Sequence, residues 1–295
     1  MQSQRRAEIL LFLVTFVWGS TFVITKDLLE HASPFWYSAI RFSFATLLSL
    51  AIFNRKLLPF SLATMRRGMV LGLLLYAGFL AQTTGLRYTT SSKSAFFTGL
   101  LTVLTPVIQL IYDRSTGRRG RNITRGNVIG VLLATAGLYL LTSPVDAAFN
   151  RGDALTLCCA FFFAGYIVYL DAISHDANKV QLTFWQFAVS AAAGLIIAPL
   201  TETMSIAWTP GFFLSLSYLT VFATIITMLI QVKYQGDTTP ARAAVIFAME
   251  PVVAGVLGYF VRDERIGTVG LFGALMIVTG VLASELIGKK ELKLS

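Results

Sequence analysis

Charge is what this sequence has least of for its size. Lys, Arg, Asp and Glu make up 13% of its 295 residues, where a soluble domain carries about 25%. So few charges cannot cover a water-facing surface of this size, which excludes an ordinary soluble globule. Histidine is scarcer still: His31 and His175 are the two present, and both fall in expected loops. No His-Glu-x-x-His, no Gly-x-Ser-x-Gly and no Gly-x-x-x-x-Gly-Lys run occurs. Their absence argues against a zinc hydrolase, a serine hydrolase and ATP-driven work by this chain. A Thr-Val-Gly-Tyr-Gly ion filter is also missing. The two cysteines, Cys158 and Cys159, are adjacent inside an apolar run. They suit buried small side chains better than a disulfide or a metal site, so no metal and no other cofactor is expected. Arg5 and Arg6 precede an apolar run from Ile9, but no small-residue cleavage pattern follows, so the first run is expected to stay as a helix.

What the chain does have is apolar length. It is 55% hydrophobic, and runs of about 20 residues, enough to cross a bilayer core, recur along it. They fall at roughly 8–26, 34–53, 68–86, 93–112, 126–142, 152–172, 180–200, 210–232, 240–261 and 267–288. The reading is an all-α integral membrane protein of ten transmembrane helices, with the lipid bilayer as its first partner. The formal charge of +9 does not point to nucleic acid, because it sits in short loops between the runs. With the N-terminus inside, cytoplasmic segments hold 17 Lys and Arg, outer segments hold 6, and Arg41 lies within the second span. That bias places both termini in the cytoplasm.

The two halves echo one another. Pro106 aligns with Pro251 at an offset of 145, Gly130 and Gly137 with Gly273 and Gly280 at 143, and Trp18-Gly19 with Ala164-Gly165 at 146. Five spans per half is odd, so the second half enters the membrane from the opposite side. Residues 1–143 and 144–295 are therefore expected to be inverted five-helix repeats around a central cavity. In each half a proline follows a polar residue near mid-membrane, in Thr105-Pro106-Val107 and in Glu250-Pro251-Val252. Proline lacks an N–H and collides with the carbonyl four residues back, so Pro106 and Pro251 are expected to break their helices as hinges. The small-residue patterns Gly68-x-x-x-Gly72 and Gly126-x-x-x-Gly130 permit close helix packing within the chain or in a homodimer; a single chain is sufficient for the plan.

Taken in order, Trp18-Gly19, Arg41-Phe42, Thr105-Pro106-Val107, Gly152-Asp153, Glu250-Pro251-Val252 and the tail Asp263-Glu264-Arg265 resemble the drug/metabolite transporter superfamily, EamA type, over nearly the whole chain. The resemblance implies a ten-helix bundle with a central cavity. It also implies the movement of small metabolites, often amino acids, usually outward, in the cell membrane, the inner membrane of a bacterium. One departure is Ala164 at the position matching Trp18, so the aromatic linings of the two halves are expected to differ.

The residues themselves nominate the site. Glu250 lies about 15 Å from either end of its span, and an intramembrane carboxylate is read as functional by default. The plainer reading is that it satisfies backbone groups disturbed by Pro251. Arg41 lies about 10 Å inward; it either snorkels to the outer interface near Asp27 and Glu30 or turns inward as a partner of Glu250. Thr98, Thr102, Thr105 and Gln109 form one helical stripe, and Thr220, Thr224, Thr227 and Gln231 form another. Such stripes line a cavity or bond helices together. Trp18 and Thr21 in span one, Tyr76 and Gln82 in span three, Phe97 in span four, and Tyr166 and Tyr169 in span six complete the expected lining. Lys93 reads as an interface cation. A membrane enzyme and a channel remain as alternatives to a transporter that is not an enzyme.

The topology has a direct check. In a background with Cys158 and Cys159 replaced, Arg118→Cys and Lys290→Cys should react with an impermeant thiol reagent from the cytoplasmic side; labelling from outside whole cells would overturn the orientation.

Overall fold

In the computed structural model the described residues are 2–118, 123–142, 149–175, 177–262 and 267–294. The tail Asp263-Glu264-Arg265 and the loop charges Arg119 and Arg121 lie outside them. Ten helical spans follow one another: Gln2–Leu28, Pro34–Phe53, Leu62–Tyr88, then Ser91–Gly99 with Leu101–Thr116 as the fourth, and Arg125–Thr142 as the fifth. The second half runs Arg151–Ile173, Lys179–Thr201, then Pro210–Thr220, Val221–Ile226 and Thr227–Tyr234 in succession as the eighth, Pro240–Phe247 with Glu250–Arg262 as the ninth, and Thr268–Leu294. Eight spans are long and apolar enough to cross a membrane; the fifth and tenth supply shorter apolar helices, Arg125–Leu141 and Thr268–Ser284. Large apolar side chains such as Phe16, Leu47, Leu132, Leu214 and Phe272 point outward, as a lipid-facing surface requires.

Local chemistry starts the helices. Thr90, Thr209 and Thr239 each accept a backbone N–H of the following first turn through the side chain, and Asn150 with Asp153 forms a reciprocal cap. Glu202, from the loop after span seven, accepts the N–H groups of Phe35 and Trp36 at 2.7 and 3.1 Å. It thereby caps span two from outside that span.

Glycine sets the packing of spans five and ten. A Cβ at Gly137 would sit 2.5 Å from the carbonyl oxygen of Gly273, and one at Gly130 would sit 2.9 Å from that of Gly280. These are the glycines that align at one offset in the sequence. A two-fold axis in the membrane plane converts the Gly130–Gly280 contact into the Gly273–Gly137 contact, so the pairing itself expresses the inversion of the halves. Gly68 and Gly72 lie against Trp185 and Gln186 of span seven. The small-residue faces of Gly68, Gly72 and Gly130 are thus filled from within the chain.

The broken spans differ in detail from the sequence expectation. Span nine breaks at Ala248–Met249, immediately before Glu250 and Pro251. Span four breaks at Leu100, and its second helix runs through Pro106. The cause is that a proline ring strikes the turn N-terminal to it. Here that turn tightens, with Leu100 N–H bonded to Phe97 O at 3.3 Å and Val103 N–H to Leu100 O at 3.0 Å. Pro106 therefore displaces its hinge by about one and a half turns.

Gly137→Leu and Gly273→Leu should each destabilise the fold by at least about 1–3 kcal/mol through overpacking, read as a lower midpoint of thermal unfolding in detergent. Gly267→Leu, with open space around its Cβ position, should leave that midpoint unchanged.

Candidate functional site

A cavity partly open to solvent lies between the halves. Spans one, three, four, six, eight and nine line it; among the described residues spans two, five, seven and ten do not. Six aromatic side chains wall it, Trp18, Phe22 and Phe79 from the first half and Phe163, Tyr166 and Phe247 from the second. The polar lining is Thr21, Gln82, Thr98, Gln231 and Glu250, with the Tyr166 hydroxyl. Glu250 reaches this place because it begins the second helix of span nine, directly after the break. Gly19 of span one admits that turn: a Cβ there would lie 2.8 Å from the carbonyl oxygen of Glu250.

One wall is held by an irregular helix. Residues Val221–Ile226 of span eight form a π segment, at whose end Thr227 N–H bonds Phe222 O and Thr224 O and passes over Ala223 O. The Ala223 carbonyl is released, and at membrane depth it must find donors within the protein. Two side chains supply them. Trp18 Nε1 donates to Ala223 O at 3.2 Å and to Thr227 Oγ1 at 3.0 Å. Arg41 donates to the same carbonyl through a terminal nitrogen at 3.4 Å, and through Nε to Thr224 Oγ1 at 2.8 Å. Its other terminal nitrogen donates to Tyr37 Oη at 3.1 Å, and its guanidinium lies 4.8 Å from the Phe79 ring centre. Arg41 is buried, which excludes snorkelling. It is also not joined to Glu250: among the described residues no Lys or Arg nitrogen comes within 4.0 Å of that carboxylate. Matching depths along two helices left open the lateral distance, and the released carbonyl claims the guanidinium. A second, smaller cavity beside Arg41 shares Thr21, Phe22, Phe79 and Gln82 with the first.

The remaining expected site residues divide. Trp18, Thr21, Gln82, Thr98, Tyr166 and Glu250 meet in the cavity wall. Tyr76 instead packs on Phe42 in the core. Phe97 packs between Phe96 and Phe149, and Tyr169 meets Tyr112. Each lies away from the cavity because its helix turns that face toward a neighbour. Thr102 donates to Ala244 O of span nine at 3.2 Å, and Thr105 to Leu101 O of its own helix at 2.7 Å. Thr224 and Thr227 serve the π segment. The middle of each hydroxyl stripe therefore holds helices, and the outer members Thr98 and Gln231 line the cavity. Phe79 is the aromatic lining residue of span three that the sequence did not nominate, as it did not nominate the apolar Leu75, Leu101, Ile167 and Met228; its spacing of three from both Tyr76 and Gln82 is the signal that carried it.

Ion pairs tie the halves at both membrane faces. On the face reached by the end of span three, Lys93 Nζ lies 2.7 Å from Asp153 Oδ2, and Thr89 donates to Oδ1 at 2.6 Å. On the N-terminal face Arg242 lies 3.0 Å from Glu8 Oε1 and also donates to Ser284 O. Each cation stands three residues after a capping threonine, Thr90 or Thr239. Each acid opens the first span of the opposite half, and Glu8 and Asp153 differ by 145 in number. The two pairs are symmetry counterparts. Lys93 is thus a buried ion-pair partner, not the interface cation expected from the sequence.

Ten helical spans in two inverted halves around a cavity define a multi-span membrane protein of the transporter type. The sequence profile of the EamA-like transporter family matches residues 5–143 and again 150–285, and the chain belongs to that family. It is 34% identical to an uncharacterized transporter of Archaeoglobus fulgidus over 95% of this chain and 86% of that protein. It is 25% identical to the uncharacterized inner membrane transporter YedA of Escherichia coli K12 over 92% and 88% of the two chains. It is also 25% identical to a protein of the same strain named a probable amino-acid metabolite efflux pump, over 94% of each. A solved crystal structure shares the fold with a TM-score of 0.78 at 16% identity, over 97% of this chain and 98% of the other.

The shared carbonyl yields a test. Trp18→Phe and Arg41→Gln should each destabilise by about 0.5–2 kcal/mol. The double variant should depart from additivity by about 0.5 kcal/mol or more, measured by unfolding in detergent; strict additivity would show that the two donors act independently.

Proposed function

We propose that this protein is a secondary transporter that moves a small amphipathic metabolite, of the amino-acid kind, by alternating access, with the central cavity as its binding site. One observation carries the reading. The cavity lies between two symmetry-related ion pairs, Lys93–Asp153 on one face and Glu8–Arg242 on the other. Each pair joins the first span of one half to the broken span of the other. Opening one while the other holds exposes the cavity to one side at a time, as rocking of inverted repeats requires. The breaks at Leu100 and Ala248–Met249 are the points about which the half-helices pivot, with Pro106 and Pro251 maintaining them.

Other features support the same reading. The lining is aromatic and amide-rich with one carboxylate, which suits a small solute with an apolar body and a polar end. Glu250 is the group that answers to substrate or to a proton, and it does so without Arg41 in the conformation described. The name of the Escherichia coli relative supports outward movement of amino-acid metabolites. The Lys and Arg distribution supports cytoplasmic termini, and the name of the relative YedA supports a bacterial inner membrane.

The test uses Gln82→Cys in the cavity wall, with Cys158 and Cys159 replaced, in oriented vesicles and an impermeant maleimide. Lys93→Gln should raise labelling from the face that carries Lys93, and Arg242→Gln from the N-terminal face. Equal labelling from both sides in both variants, or no change in either, would sink alternating access. Exchange of tritiated amino acids by proteoliposomes, unaffected by ATP, should accompany it.

A further inference from the structure

The cavity's hydrogen-bond inventory is one-sided. Its donor atoms each have a partner inside the protein, with one further amide N–H left on Gln82 and one on Gln231. Trp18 Nε1 serves Ala223 O and Thr227, Gln82 Nε2 serves Thr98 at 3.1 Å, and Gln231 Nε2 serves Gln235 at 2.8 Å. The Tyr166 hydroxyl donates to Gln186 at 2.7 Å, and the Thr21 hydroxyl to Trp18 O at 2.7 Å. Open acceptors outnumber those two N–H groups: among the described residues Gln82 Oε1, Gln231 Oε1 and both oxygens of Glu250 receive no hydrogen bond. Gln231 Oε1 is buried with no donor, and the Glu250 carboxylate, 8% exposed, has no described cation within 4.0 Å. Buried acceptors without donors are costly, and a bound group that brings donors removes the cost.

From this imbalance we infer that the cavity selects a protonated amine, seated with its N–H groups on Glu250 and Gln231 and its apolar body among the aromatic rings. The inference rests on the cavity being the transporter's binding site and names what that site reads. An ammonium offers three donors and no acceptor, the complement of the acceptors the wall leaves open. The rings add attraction, since their faces favour a cation; the Phe79 ring already carries the Arg41 guanidinium. An anion would meet the Glu250 carboxylate and the Gln231 carbonyl oxygen, a repulsive element that acts against it. Free amines and amino acids share this ammonium. An amino acid would also direct its carboxylate toward the neighbouring cavity and Arg41, whose two terminal nitrogens have each one bonded N–H in the structure.

Equilibrium binding to the purified full-length protein in detergent separates these cases, read by Trp fluorescence and checked by dialysis. The probes are phenethylamine, N-acetylphenethylamine, 2-phenylethanol, phenylalanine and 3-phenylpropionate. Phenethylamine should bind at least roughly tenfold tighter than the acetylated and alcohol analogues, and 3-phenylpropionate should not bind. Glu250→Gln should remove that preference, and Gln231→Leu should reduce it. Equal binding of phenethylamine and phenylethanol by the unaltered protein would overturn the inference, and this arm needs no variant to fold. So would a preference that survives both substitutions. If phenylalanine binds as well as phenethylamine and Arg41→Gln weakens phenylalanine only, the natural ligand class is the amino acid; if phenylalanine fails, it is the free amine. Amine binding without exchange in proteoliposomes would uphold the inference and count against transport, whereas exchange without amine preference would do the reverse.

Discussion

A carbonyl released inside a bilayer must be given a donor by the protein, and that constraint organises this molecule. The π segment of span eight frees Ala223 O, and Trp18 and Arg41 come from two other spans to meet it. This fixes three spans against one another at the depth of the cavity. It also explains why a guanidinium can lie buried in a membrane core: three of its five N–H groups serve a carbonyl and two hydroxyls, and an aromatic face covers it. The irregular turns at Leu100 and Ala248–Met249 obey the same rule, since non-helical backbone at this depth is tolerated only beside protein or a wet cavity.

The symmetry of the halves is read best from contacts between them. Gly130 meets Gly280 where Gly137 meets Gly273, and Lys93 meets Asp153 where Arg242 meets Glu8. Each pair is built from one residue of either half. The cavity departs from this symmetry. Trp18 has Ala164 as its counterpart, and the carboxylate of Glu250 stands where the first half has the hydroxyl of Thr105. Paired structure makes the frame, and unpaired chemistry makes the site.

Much of the frame was legible in the sequence because bilayer thickness fixes helix length and a shared offset reveals repeats. Glu250 stood out because a carboxylate at that depth is rare. The fate of Arg41 was not legible: residue count along a helix gives depth, not which neighbour lies beside it, and the π segment that captures it leaves no mark in Val221–Ile226. The hinge near Pro106 was misplaced because a proline distorts the turn before it. Glu8 and Arg242 escaped notice for a related reason. Both stand at helix ends, where a charge needs no explanation until a partner from the other half is known.

That every latch is shared between halves bears on how the chain is made. When the first five spans have entered the membrane, Lys93 stands without its acid and Glu8 without its arginine. The groove of Gly130 and Gly137 has nothing to fill it. Asp153 arrives with span six, Arg242 with span nine and the glycine seam with span ten. The nascent first half therefore carries open contacts on both sides of the bilayer until synthesis is nearly complete, and the last span to insert is the one that closes the frame.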